Sequence, residues 1–131
     1  MSKDDPRTAG EAMRRKVLGD AHVDRALGTA TPLNQDFQEL ITKYVWGEIW
    51  TRPGLDERTR RVLVIGTMVA LGRWEEFKLH LRAAVVEGGF SEQDVKEILL
   101  QQAVYCGVPA ANHAMAVAAE VLGSIQSGAK P

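Results

Sequence analysis

The stretch Tyr44-Val45-Trp46-Gly47-Glu48-Ile49-Trp50-Thr51-Arg52-Pro53-Gly54-Leu55-Asp56-Glu57-Arg58-Thr59-Arg60 decides the fold. Pro53-Gly54 predicts a turn, and a helical period runs into it and out of it. Upstream, Phe37, Leu40, Ile41 and Tyr44 recur at three- and four-residue steps, so they should share a face turned to the core. Glu48 continues that stripe, and a carboxylate there needs a reason. Downstream, Asp56 can cap a helix from about Glu57 to Leu71 that carries Val62, Ile65, Met68 and Val69. Two helices joined by a tight break, with an acid, several arginines and two tryptophans around it, mark both an all-helical chain and a plausible site.

The same period extends outward in both directions. A first helix is predicted from about Pro6, favoured at a first helical position, to Leu18, and a shorter one from Asp20 to Leu27, stopped at Gly28. Thr31-Pro32 forces an extended link, after which a third helix runs from about Asn34 to Ile49. Beyond Leu71, a fifth helix from about Trp74 to Glu87 carries Phe77, Leu81, Ala84 and Val85 and closes at Gly88-Gly89. Ser91 and Asp94 have capping-box spacing and open a sixth, which ends near Tyr105. The last starts at Pro109 and presents Ala110, Ala111, Ala114, Val117, Ala118 and Val121, a small-residue face that wants a partner. No segment alternates apolar and polar residues between hairpin turns.

At 131 residues the chain has room for one domain. Ser127 to Pro131 reads as a loose tail. Sixteen basic and seventeen acidic residues give a formal net charge of -1 without a long run of one sign, so no nucleic-acid or acidic-membrane partner is announced. The expected ligand is a small molecule. The longest apolar run, Val62 to Leu71, is too short to span a bilayer, and Met1 to Pro6 lacks the apolar centre of a secretory signal, so a cytoplasmic protein is expected. The single cysteine, Cys106, excludes an intramolecular disulfide, a cysteine-cluster zinc site and two-cysteine redox chemistry within one chain.

Several side chains could carry chemistry. Arg58 lies four, seven and eleven residues before Val62, Ile65 and Val69, at the head of a predicted buried stripe. It can anchor an anion at a helix N-terminus or lay its stem over the core and reach water. His80 follows Phe77 by three residues and precedes Ala84 by four, on an apolar face where a hydrogen-bonded core histidine is the ordinary explanation. His113 shares the small-residue face of the last helix, with a core or interface role as its default, and His22 beside Asp20 and Asp24 needs only a capping or surface role. Trp46 and Trp50 are helical neighbours, suited to packing or to a pocket wall. Cys106 is most simply a small buried residue. The histidines at 22, 80 and 113 show no paired metal-ligand spacing.

Four ordered motifs carry a resemblance: Gly19-Asp20-Ala21-His22-Val23-Asp24, Asp36-Phe37-Gln38-Glu39-Leu40-Ile41-Thr42, Trp46-Gly47-Glu48-Ile49-Trp50-Thr51-Arg52-Pro53-Gly54-Leu55 and Gly107-Val108-Pro109-Ala110-Ala111-Asn112-His113-Ala114. Together, over roughly Met13 to Leu122, they resemble the γ-carboxymuconolactone (4-carboxymuconolactone) decarboxylase family. The resemblance implies an all-α, alkylhydroperoxidase D-like helical subunit, commonly assembled into a hexameric homo-oligomer, and a place in protocatechuate catabolism. Redox members of that superfamily carry two cysteines seven and four residues before the histidine matched by His80. Here those positions are Arg73 and Glu76, so peroxidase chemistry does not carry over.

The implied substrate is an unsaturated lactone with a carboxylate and an acetate arm on its γ-carbon, and the implied product is β-ketoadipate enol-lactone. The ring double bond conjugates the γ-carbon to the lactone carbonyl, so the electron pair left by CO2 can flow to oxygen and no cofactor is needed. The remaining tasks are to anchor the acetate arm, stabilise the enolate oxygen, keep the departing carboxylate poorly solvated and deliver a proton to the α-carbon. Arg58 suits the anchoring, with Trp46, Trp50 and His113 as further substrate-binding candidates. His80 suits proton delivery or enolate stabilisation. Glu48 can orient that imidazole and raise its pKa, or can itself be the acid. The rival from another class is a non-catalytic helical oligomer that binds a small molecule in the same cleft.

Overall fold

The computed structural model describes residues Asp5–Gly128, and all regular structure among them is helical. In chain order the elements are α1 (Pro6–Leu18), α2 (Asp20–Gly28), α3 (Gln35–Ile41), a π-helix (Thr42–Ile49), α4 (Glu57–Leu71), α5 (Trp74–Val86), α6 (Glu92–Cys106) and α7 (Val108–Gln126). The tail expected at 127–131 falls, from residue 129 on, outside the described residues. Packing divides the chain into two compact units, one ending at Glu57 and one beginning at Arg58.

In the first unit, Asp5 caps α1: its Oδ1 accepts the backbone N–H groups of Arg7 at 2.9 Å and Thr8 at 3.0 Å, with Pro6 opening the helix. The third helix predicted from the apolar period exists over those residues, but its second half is a π-helix. Its last turn closes with a bond five residues back, from Trp50 N–H to the Val45 carbonyl at 3.0 Å. Two glycines explain why this segment lies against α1. A Cβ on Gly10 would strike the Thr42 carbonyl, and a Cβ on Gly47 would strike the Pro6 carbonyl, so the two backbones meet where only glycine fits.

That contact turns Thr42 and Trp46 inward, and it overturns the predicted core stripe. Phe37, Leu40 and Tyr44 are exposed, as is Glu48. The stripe shares a face, but its phase is wrong: Thr42 and Trp46 set the side that meets α1, and Phe37, Leu40, Tyr44 and Glu48 turn away from it. Among the described residues of this unit the buried charge is Arg14 on α1, 4% exposed. Its Nη1 donates to Gln38 Oε1 at 3.0 Å and lies 3.5 Å from Thr42 Oγ1, and burial draws its pKa below the usual guanidinium value.

The core of the second unit is one apolar cluster. Ile65 and Val69 come from α4, Phe77, Leu81 and Ala84 from α5, Val95 and Leu99 from α6, and Ala114, Val117, Ala118 and Val121 from α7. The small-residue face of α7, which the sequence leaves wanting a partner, finds it here, against α5 and α6 in the same chain. α5 closes as predicted. Gly89 takes φ +73°, the Gly88 N–H reaches the Ala83 carbonyl at 3.0 Å, and the Phe90 N–H reaches the Ala84 carbonyl at 2.9 Å. The capping box forms at α6: Ser91 N–H donates to Asp94 Oδ2 at 2.9 Å and Asp94 N–H to Ser91 Oγ at 3.1 Å. No helix among the described residues is long and apolar enough to cross a membrane.

Candidate active site

In the second unit the head of the buried α4 stripe is Arg61, four residues before Ile65 and eight before Val69, not Arg58. Arg58, expected at that position, is exposed. Its Nη2 lies 2.8 Å from Asp94 Oδ1, and its guanidinium carbon stands 4.4 Å from the centre of the Phe90 ring. The ion pair and cation–π contact fix the fork in place at the surface. Hydrogen bonds from Ser91 and the nearby Arg58 hold the Asp94 carboxyl below its ordinary range.

Arg61, one turn along, is 3% exposed, and a Cβ on Gly88 would lie 2.8 Å from its Nε and 3.0 Å from its Cδ. Sequence reading passed over this side chain, although its spacing from Ile65 and Val69 carried the signal. Arg14 was missed in the same way, three and four residues before the buried Val17 and Leu18.

His80 sits half-buried in the middle of α5, between the buried Phe77 and Leu81 turns. His113 is exposed, off the buried face of α7 where the period placed it. It stacks on Trp74 at 4.2 Å between centroids with 30° between planes, and Trp74 in turn meets Phe77 edge-on at 5.7 Å. The difference is one of phase: α7 buries Ala111, Ala114 and Ala118, and position 113 falls nearly opposite 111 on the helix. Trp74 is the first residue of α5 and Phe90 lies just past its end, so His113 and Arg58 stand at opposite ends of a helix about 20 Å long. One small ligand does not bridge them within this unit.

Cys106 is half-buried, and its Sγ is 3.3 Å from the Gln102 Nε2, which also donates to the Gly66 carbonyl at 3.0 Å. Arg73 precedes α5 as its cap residue and Glu76 is exposed in its first turn.

In the first unit the two tryptophans meet as their spacing predicts: ring centroids are 5.0 Å apart with 32° between planes, Trp46 buried and Trp50 half-buried. Glu48 is exposed on the same π-helix. A cavity of about 270 Å³ in this unit is walled by Arg7, Glu11, Gln35, Gln38, Glu39 and Thr42 among others, none of them a predicted site residue. His22 is half-buried, and burial followed by the charges of Arg14 and Arg25 pushes its pKa down.

A buried arginine, an exposed arginine one turn away and a half-buried histidine, without a second thiol, suit anion binding and proton transfer rather than redox chemistry. The model of the carboxymuconolactone decarboxylase family matches residues 35–120, from the start of α3 into α7. The chain belongs to the carboxymuconolactone decarboxylase family.

Two relatives within it cover most of the chain. A 4-carboxymuconolactone decarboxylase of Acinetobacter baylyi is 44% identical over 112 residues, 86% of this chain and 83% of that protein. A nitrosuccinic acid decarboxylase of Metarhizium robertsii is 43% identical over 108 residues, 82% of this chain and 75% of that protein. A shorter match, 52% identical over 40 residues, is to a 4-carboxymuconolactone decarboxylase of Pseudomonas putida and covers 30% of this chain and 83% of that one. All three are named decarboxylases, so carboxy-lyase chemistry is the role this family membership carries.

Proposed function

We propose that this protein decarboxylates 4-carboxymuconolactone to β-ketoadipate enol-lactone in protocatechuate catabolism, without a cofactor. The observation that carries the reading is the 44% identity to a 4-carboxymuconolactone decarboxylase over 86% of the chain. The chemistry fits: the C–CO2 bond breaks, its electron pair runs through the ring double bond to the lactone oxygen, and a proton then adds at the α-carbon.

In this reading Arg58 anchors the acetate arm, and the half-buried His80 delivers the proton. In the first unit, Glu48 is the other proposed proton donor, and Trp46 and Trp50 are proposed to offer apolar surface to the substrate. His113 keeps two readings, substrate contact or packing on Trp74. A single carboxymuconolactone decarboxylase-like domain, a cytoplasmic location and a homo-oligomer, in the hexameric form, belong to the same proposal. The exposed Phe37, Leu40 and Tyr44 support the oligomer, since apolar side chains on one helical face are left for another surface to cover.

A second reading has its own observation, the relative named for nitrosuccinic acid. In nitrosuccinate one carbon also bears a carboxylate and a CH2-carboxylate arm, and its nitro group can take the electron pair in place of the lactone. The chain is then proposed to convert it to 3-nitropropanoate and CO2, with one proton taken up. The rival of a binding protein without turnover is separated from both by activity alone. Product analysis in deuterated water tests the main reading: 4-carboxymuconolactone should yield enol-lactone carrying one deuterium at the α-carbon. Unchanged 4-carboxymuconolactone with turnover of nitrosuccinate would favour the second reading, and no turnover of either would support the binding protein.

A further inference from the structure

We propose that Arg61 is the residue that stabilises the oxygen receiving the electron pair, with Arg58 binding the carboxylate that stays on the molecule. The inference rests on the decarboxylase reading and deepens it. Arg58 and Arg61 are three residues apart on α4, which places their Cβ atoms about 5–6 Å from each other on one side of the helix. Both side chains reach the segment that joins α5 to α6, Arg61 against Gly88 and Arg58 over Phe90. Their surroundings differ. Arg58 is exposed and ion-paired to Asp94, whereas Arg61 is 3% exposed.

The reaction asks for two unlike cations. The acetate arm carries the same charge before and after CO2 leaves, so a guanidinium bound to it holds ground and transition states equally and a solvated one suffices. The acceptor oxygen gains its charge only as the C–CO2 bond breaks, and a fixed cation away from water acts most strongly on such a charge. A cation on the departing carboxylate would hold charge where it must be lost, so the buried arginine fits the acceptor. Its planar fork of N–H donors accommodates a lactone oxygen or a nitro oxygen alike. The site then selects the carbon bearing a carboxylate and a CH2-carboxylate arm, and accepts more than one planar electron acceptor.

The test uses 3-nitropropanoate, whose carboxylate is retained while its other end exists as an uncharged nitroalkane or, one proton removed, as a nitronate. In the nitronate the acceptor oxygens carry the charge that develops in the reaction. Calorimetric titration of the folded wild-type protein should show the nitronate bound about 10²-fold more tightly than the nitroalkane. Arg61→Gln should erase most of that preference and leave nitroalkane affinity nearly unchanged. Arg61→Lys, which keeps the charge and protects against loss of fold, should cut the preference at least about fivefold. A residue that merely props the Gly88 turn would weaken both ligands alike. Equal binding of the two forms by wild type, or an undiminished preference in folded Arg61→Lys, overturns the assignment. Turnover of 4-carboxymuconolactone and of nitrosuccinate is measured on the same samples: absence of both from wild type removes the decarboxylase reading and this inference together, whereas turnover of either without nitronate preference removes only the role of Arg61.

Discussion

Arg58 of α4 and Asp94 of α6 form an ion pair at 2.8 Å, while the other oxygen of the same carboxylate caps α6 through the Ser91 N–H at 2.9 Å. Asp94 thus occupies the fork that the proposed mechanism gives to the acetate arm. Asp94→Asn keeps an oxygen for Ser91 but removes the competing charge, and should lower KM severalfold. Arg58→Lys keeps the charge and loses the fork, so it should raise KM about tenfold with a smaller change in kcat. Steady-state kinetics on the two variants checks both directions, and unchanged KM in the pair would take Arg58 out of substrate binding.

Gly10 and Gly47 should not tolerate a methyl group, because in each case the added carbon meets a carbonyl oxygen of the facing backbone. Gly10→Ala and Gly47→Ala are each expected to destabilise by about 1–3 kcal/mol, as overpacked cores do. Urea unfolding gives the number. Wild-type midpoints for both variants would contradict the close approach of α1 to the π-helix.

Most helix limits were legible in the sequence because the signals that set them are local. Pro6 and Asp5 at α1, the Ser91–Asp94 box at α6 and Gly88-Gly89 after α5 act within a few residues of themselves. The π-helix was not legible, since it depends on Gly10 lying across from Thr42, a contact between residues far apart in the chain. The failure of the Phe37–Leu40–Tyr44–Glu48 stripe follows from that same contact. On α4, Val62 is half-buried and Arg61 buried, so the arginine at the head of the buried stripe is 61, four residues before Ile65, whereas counting back from Val62 leads to 58. On α7 the predicted face is buried from Ala111 to Val121, with Ala110 half-buried at its edge, and His113 falls outside it because a helical face has a width that counting alone does not fix.

His80→Gln and Glu48→Gln separate the two proposed proton donors. A donor acts mainly in the transition state, so loss of the true one should lower kcat by about 10²-fold or more, with a smaller effect on KM. With Glu48 as the acid, Glu48→Gln should also delete a limb of the pH–rate profile that His80→Gln retains. Near-wild-type kcat in folded His80→Gln would move the role to Glu48.

Stability should weaken in mild acid through His22. Its folded pKa lies below the ordinary 6.5, burial being the main cause and Arg14 and Arg25 adding to it. Above 6.5 the imidazole is neutral in both states and contributes no pH dependence. As pH falls below 6.5 the unfolded chain takes up the proton first, so stability declines until the folded pKa is passed. His22→Gln should flatten that limb in melting curves taken between pH 7 and the acid end. An identical slope in wild type and variant would locate the titration elsewhere.

Cofactor-free loss of CO2 is the central claim, and manometric or radiometric CO2 release from 4-carboxymuconolactone tests it most directly. The enzyme is first stripped by exhaustive chelation and assayed with no addition, beside a Cys106→Ser variant whose half-buried thiol has no assigned part in the chemistry. Stoichiometric CO2 is expected at near-equal rates from untreated, stripped and Cys106→Ser protein. Activity that disappears on chelation and returns with metal, or a folded Cys106→Ser protein that releases no CO2, would contradict it.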